Sequence, residues 1–146
     1  MNEQSAWPRI LIVEDDQDDI LLCNEFIRDS NYPFTVTFFH NCDALINFLK
    51  VEPELLRSPA IVLLNWYMPP DTPRGAIERI RNTAANIADI QFGVIVNSPL
   101  EQTFFNFDDL GILGFVQKPV TPQGLRDLLD KYEQDFRAGR SWADQN

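Results

Sequence analysis

Five short apolar runs punctuate the chain, at Ile10–Val13, Val36–Phe39, Ile61–Leu64, Val94–Val96 and Phe115–Val116. They are β-branched or aromatic in character, and each gives way to polar or turn-forming residues, which is the pattern of strands. Three of the runs are continuously apolar instead of alternating, as strands covered on both faces should be. Between them the apolar spacing becomes helical. Ala44, Leu45, Phe48 and Leu49 share one face, and Ile77, Ile80, Ala84 and Ile87 share another. The last segment is the clearest, with Leu125, Leu128, Leu129, Tyr132 and Phe136 in helical register behind Thr121 as N-cap and Pro122 at the first helical position. Strict alternation of strand and helix predicts a parallel sheet with right-handed crossovers and helices on both faces. Every gap is long enough for the crossover that parallel pairing needs.

Composition narrows the class without changing that picture. A chain of 146 residues with 45% hydrophobic content suits one globular domain. Residues 9–137 read as that domain, 1–8 as an N-terminal extension and 138–146 as a tail on which Trp142 docks or frays, leaving no room for a second, DNA-binding domain. No apolar run reaches the ~20 residues needed to span a bilayer, and the first residues lack the pattern of a secretory leader. The expected location is the cytoplasm, where Cys23 and Cys42, without CxxC spacing, stay reduced. Cys23 falls on the apolar face of the first helix and reads as core. The formal net charge of -10 repels phosphate backbones and anionic lipid, so neither nucleic acid nor membrane is an expected partner. Other proteins and divalent cations are.

In an open parallel sheet, ligands bind beyond the carboxyl ends of the strands. Glu14, Asp15 and Asp16 follow the first run, Asn65 the third, Asn97 and Ser98 the fourth, and Lys118 the fifth. Topology alone therefore brings acids, amides, a hydroxyl and a lysine towards one edge. The acids admit a plainer reading as a solvated helix start, which suits Asp18 and Asp19 better than Glu14 and Asp15. Lys118 reads equally well as a structural partner of those acids. His40 has no companion ligand and reads as a loop residue. A phosphate-cradling loop of the flavodoxin kind is excluded, because the first strand ends in carboxylates and not in free backbone N–H groups.

Three stretches together resemble the receiver domain of bacterial response regulators: ILIVEDD, IVLLNWYMPP and GFVQKP, in the family's order and spanning roughly residues 9–137. VEDDQDDILL and the short tail are most similar to small stand-alone regulators such as those paired with phytochrome kinases. The resemblance implies a flavodoxin-like, doubly wound five-stranded parallel sheet of (βα)5 order. It also implies a metal site in which Glu14, Asp15 and the backbone carbonyl of Tyr67 hold Mg²⁺, a hard cation that takes oxygen ligands. Asn97 or Ser98 would then contact a phosphoryl group, Lys118 would neutralise it, and Phe115 would be the aromatic that reorients on switching.

The departures from the family matter more. Asn65 stands where the family has its phosphoacceptor aspartate. An amide oxygen is a poor nucleophile, and the lost negative charge weakens Mg²⁺ binding. Spacing puts Asn97, without a hydroxyl, at the phosphate-binding position, with Ser98 adjacent. The loop from Asn65 to Gly75 is about two residues longer than usual by that resemblance and is stiffened by Pro69, Pro70 and Pro73. Two plainer origins of Asn65 are an engineered substitution and a slow deamidation site.

These residues lead to an atypical regulator, a pseudo-receiver acting through protein contacts without aspartyl phosphorylation and without enzymatic activity. Its expected partners are a sensor histidine kinase or another signalling protein, and a second copy through the last two helices and the strand between them. Phe104, Phe105 and Phe107 lie near that surface and cannot all face inward. The alternative is a conventional phosphorelay regulator in which Asp is the native residue 65. A third reading is a Mg²⁺-dependent phosphatase or transferase, for which Asp71 is the one acid in the third loop and is poorly placed.

Overall fold

The alternation of apolar patterns becomes an alternation of elements: β1 (Arg9–Val13), α1 (Gln17–Arg28), β2 (Thr35–Phe39), α2 (Cys42–Val51), β3 (Ala60–Asn65), α3 (Pro73–Thr83), β4 (Ile90–Val96), β5 (Gly114–Gln117) and α4 (Pro122–Arg140). The computed structural model describes residues 9–30, 35–51, 60–83, 90–104 and 111–140. Ala84, Ile87, Phe105, Phe107 and Trp142 lie outside them, as do the side chains of Phe104 and Phe136. One element departs from the (βα)5 expectation. Among the described residues the fourth crossover carries a 3₁₀ helix, Pro99–Phe104, in place of an α-helix.

Each α-helix starts on a side chain that satisfies an otherwise orphaned N–H. Asp16 accepts from the Asp19 N–H, Asn41 from Ala44, Thr72 from Gly75 and Thr121 from Gly124, at 3.0, 2.7, 3.0 and 3.1 Å. Such caps are worth ~1 kcal/mol each. Pro73, expected to stiffen the loop before α3, belongs instead to the first turn of that helix. Of the face expected on α2, Leu45 and Leu49 are buried and Phe48 is half-buried, while Ala44 is exposed and Ile46 takes its place.

The sheet is wholly parallel in the order β2-β1-β3-β4-β5, so strand order reverses between β1 and β3. All of β3 is buried. Gly93 in β4 allows that tightness, since a Cβ there would stand 2.7 Å from the Leu63 side chain. Because side chains alternate along a strand, the core splits by parity. Leu11, Val13, Val62, Leu64, Val94 and Val96 pack under α2 and α3. Ile10, Ile12, Ile61, Leu63, Ile95 and Val116 pack under α1 and α4.

Candidate functional site: a closed polar cluster at the strand ends

The same parity continues past the strand ends and sorts the polar residues. Glu14 follows Ile10 and Ile12, Asn65 follows Ile61 and Leu63, and Lys118 follows Val116, so all three fall on the α1–α4 side. The backbone fixes their height: the Glu14 N–H donates to Phe39 O at 2.9 Å and the Lys118 N–H to Val96 O at 2.8 Å. Glu14 and Asn65 are the two buried polar residues among those described, 3% and 9% exposed.

Burial of a carboxylate demands donors, and Glu14 has three. Its Oε2 accepts from the Asp16 N–H at 3.0 Å and from Asn65 Nδ2 at 3.2 Å. Its Oε1 lies 3.0 Å from the Lys118 ammonium. Lys118 in turn donates to Asp19 Oδ2 at 2.7 Å. Residues from β1, β3, α1 and the end of β5 thus close on one another. All groups on Glu14 are donors, the arrangement an ionised carboxylate requires.

Burial pushes the Glu14 carboxyl above its usual 4.5, and the Asp16 N–H and Lys118 oppose this without cancelling it. For Lys118, burial works against the ammonium, but hydrogen bonds to Asp19 and Glu14 outweigh it and raise the group above its usual 10.5. Both groups are raised, which disfavours the charge on Glu14 and favours that on Lys118, because Lys118 has two carboxylate partners and Glu14 has a single cation. A cavity of about 20 Å³, roughly the room of one water, lies beside the cluster and is walled by Ile12, Cys23, Ile95 and Val120.

The other residues singled out in the sequence lie elsewhere. Asp15, one position on, is exposed and lines a cleft on the α2–α3 side with Asp43, Asp71 and Arg79. There Arg79 bridges two carboxylates: Asp71 at 3.0 Å, and Asp43 through a very short contact. Tyr67 is exposed, its ring tilted against Trp66. Asn97 is exposed too, and its backbone N–H and side-chain amide are taken up by Glu101, at 2.6 and 3.5 Å. Ser98 accepts the Glu101 N–H through its backbone carbonyl at 3.1 Å, the first turn of the 3₁₀ helix, while the Glu101 carboxylate reaches back to the Asn97 N–H. Phe115 is half-buried against the α2–α3 side core.

This donor set fits Mg²⁺ poorly. Magnesium wants oxygens in near-octahedral array. Here the Glu14 oxygens are held by an ammonium and two N–H groups, and Asn65 turns its amide N–H₂ towards them. Asp15 sits across the sheet from Glu14. Among the described residues no group of three or more His, Cys, Asp or Glu is arranged to hold a metal ion.

No protein-family model and no curated protein matches the chain. Solved structures do. A two-component response regulator from Legionella pneumophila is 19% identical, covers 89% of this chain and all of its own, and superposes with a TM-score of 0.66. The bacteriophytochrome response regulator AtBRR is 20% identical over 85% of this chain and 91% of its own, with a TM-score of 0.63. A third response regulator, solved in its Mn²⁺-bound form, is 22% identical over 89% of this chain and 94% of its own, at 0.55. The fold is that of a response-regulator receiver. Within the receiver frame, the three strand ends that carry the sequence resemblance are the ones that form the cluster.

Sequence reasoning offered the acids of the first turn as partners of Lys118 without singling out Asp19, and it left Glu101 out. Asp19 reads along the chain as part of a solvated acidic turn, but it is the nearer partner of Lys118. Its position in the first turn of α1, where side chains lean towards the helix start, was the available signal. The Glu101 carboxylate takes up the backbone N–H and the side-chain amide of Asn97.

Proposed function

We propose that this chain is an atypical receiver-type module of two-component signalling, acting by protein–protein contact without taking up a phosphoryl group. The observation that carries the reading is the hydrogen bond from Asn65 Nδ2 to Glu14 Oε2. An aspartate at position 65 would set two carboxylates against each other and invite a cation. The amide removes that charge and satisfies Glu14 instead. It also lacks the nucleophilic oxygen that aspartyl phosphorylation needs. Asn97 supplies no hydroxyl and is occupied by Glu101, which supports the same reading. Any Mg²⁺ bound through Glu14, Asp15 and the Tyr67 carbonyl would be held weakly, because the Glu14 oxygens are already taken by the Lys118 ammonium and two N–H groups.

The partners proposed are a sensor histidine kinase or another signalling protein, met in the cytoplasm, and a second copy through β5, α4 and the crossover before β5. No helix of the described residues is long and apolar enough to cross a membrane. Asp71, the carboxylate that a phosphatase reading would need, is tied to Arg79.

The test is incubation of the protein and of Asn65→Asp with Mg²⁺ and acetyl phosphate, followed by intact-mass measurement. The expected result is no acid-labile phosphoryl group on the unmodified chain and little on the variant. Full labelling of Asn65→Asp would favour a conventional regulator silenced at one position. Labelling of the unmodified chain would overturn the proposal.

A further inference from the structure

We infer that Lys118 is the resident cation of this pocket, occupying by its ammonium the electrostatic role of a divalent metal and thereby keeping metal out. The inference deepens the reading of the pocket as one that accepts no phosphoryl group and rests on it for its biological sense. Three features carry it.

The ammonium lies 3.0 Å from Glu14 and 2.7 Å from Asp19, so a single positive charge already pairs with both carboxylates. It is well covered, with the Lys118 side chain 18% exposed and that of Glu14 4% exposed, so water and salt screen the pair little. Position 65, where an aspartate would add negative charge, here supplies an N–H donor from Asn65. Glu14, Asp19 and Lys118 together sum to a charge of only -1, against the two positive charges of a divalent ion. A metal entering beside Glu14 would have to displace both the ammonium and an amide hydrogen bond. It would gain in exchange no carboxylate from position 65 and none from Asp15 across the sheet.

The device also has a structural use. Asp19 belongs to α1 and Lys118 to the loop between β5 and α4, so the ammonium ties the helix to the sheet edge. In a pocket that released its metal, that tie would come and go. Here the chain itself supplies the cation that makes the tie.

The test is a Mn²⁺ titration read by electron paramagnetic resonance of the free aqua ion, with no phosphoryl donor present. The unmodified chain is expected to bind Mn²⁺ only as its scattered surface acids do, in the millimolar range. Lys118→Met is expected to gain a site at least tenfold tighter, of one ion per chain. Asn65→Asp combined with Lys118→Met is expected to bind at least tenfold tighter again. A submillimolar site in the unmodified chain would overturn the inference, as would equal binding by a folded Lys118→Met. Should Lys118→Met not fold, Lys118→Arg, which keeps the charge, is expected to bind no more Mn²⁺ than the unmodified chain. A tighter site in that variant would overturn the inference as well. The two claims fail separately. A chain that becomes phosphorylated yet binds no Mn²⁺ sinks the proposed function alone, and one that binds Mn²⁺ yet stays unlabelled sinks this inference alone.

Discussion

Two cations in this molecule each bridge two carboxylates, and they lie on opposite sides of one sheet. Lys118 holds Glu14 and Asp19 under the α1–α4 layer, and Arg79 holds Asp43 and Asp71 over the α2–α3 layer. On paper the guanidinium has the better fork for carboxylates. Surroundings reverse the ranking. The Glu14 side chain is 4% exposed, whereas Asp43 is 81% exposed and Arg79 44%. A surface pair is worth ~0–1 kcal/mol once screening and side-chain entropy are counted. A buried pair gains little when formed, but breaking it strands a charge and costs ~3–5 kcal/mol. The lesson is that the Lys118 cluster is expensive to break, whatever it contributes to making the fold.

The sharpest way to break the comparison is Lys118→Met. Urea denaturation should show a loss of about 3 kcal/mol, and Glu14→Gln in the same chain should restore most of it by removing the stranded charge. If the double variant is as unstable as the single one, the loss comes from packing of the lysine stem and not from Glu14.

Next in size is Asn65→Asp, which replaces a donor to Glu14 by a second carboxylate. We expect a loss of ~1–3 kcal/mol at neutral pH without divalent ions, partly recovered by added Mg²⁺ and by acidification. Thermal melts across Mg²⁺ concentration and pH would show no such recovery if the amide hydrogen bond is idle.

The pH dependence of the unmodified chain is a smaller effect. Lys118 is raised above its usual 10.5, so its contribution to stability is complete below that value and lost as pH climbs through the raised one. Glu14 is raised above 4.5, so the folded chain holds its proton more tightly, and its part of the stability falls as pH rises through that region. Lys118→Met should flatten the alkaline limb of a stability–pH curve. An unchanged limb would assign it to other groups.

Arg79→Met should have the smallest effect, under ~1 kcal/mol, and the difference should vanish at high salt. A large, salt-insensitive loss would make the two sides of the sheet equivalent after all.

Much of this was legible along the chain. The five strands fall within a few residues of the apolar runs, and Thr121 with Pro122 opens α4 as their chemistry dictates. The parity of β1, β3 and β5 would also have sent Glu14, Asn65 and Lys118 to one side and Asp15 to the other, because a strand's alternation does not stop at its last hydrogen bond. Reading Glu14 and Asp15 as one acidic pair overlooked this. Asp19 and Arg79 were harder. Each finds its partner on an element far away in sequence, Asp19 on Lys118 and Arg79 on Asp43, and no local periodicity encodes such a pairing.

The two cysteines divide in the same way as the core: Cys23 is buried under the α1–α4 layer and Cys42 under the α2–α3 layer. Burial first, and then the charge of Glu14, push the Cys23 thiol up to about 11, so at neutral pH only roughly one molecule in ten thousand carries the reactive thiolate. Burial raises Cys42 as well. Both thiols should therefore ignore alkylating reagents until the layer above them opens. Nature has in effect placed one silent clock in each half of the molecule. Timing the two with a maleimide would reveal whether the halves come apart together or in sequence.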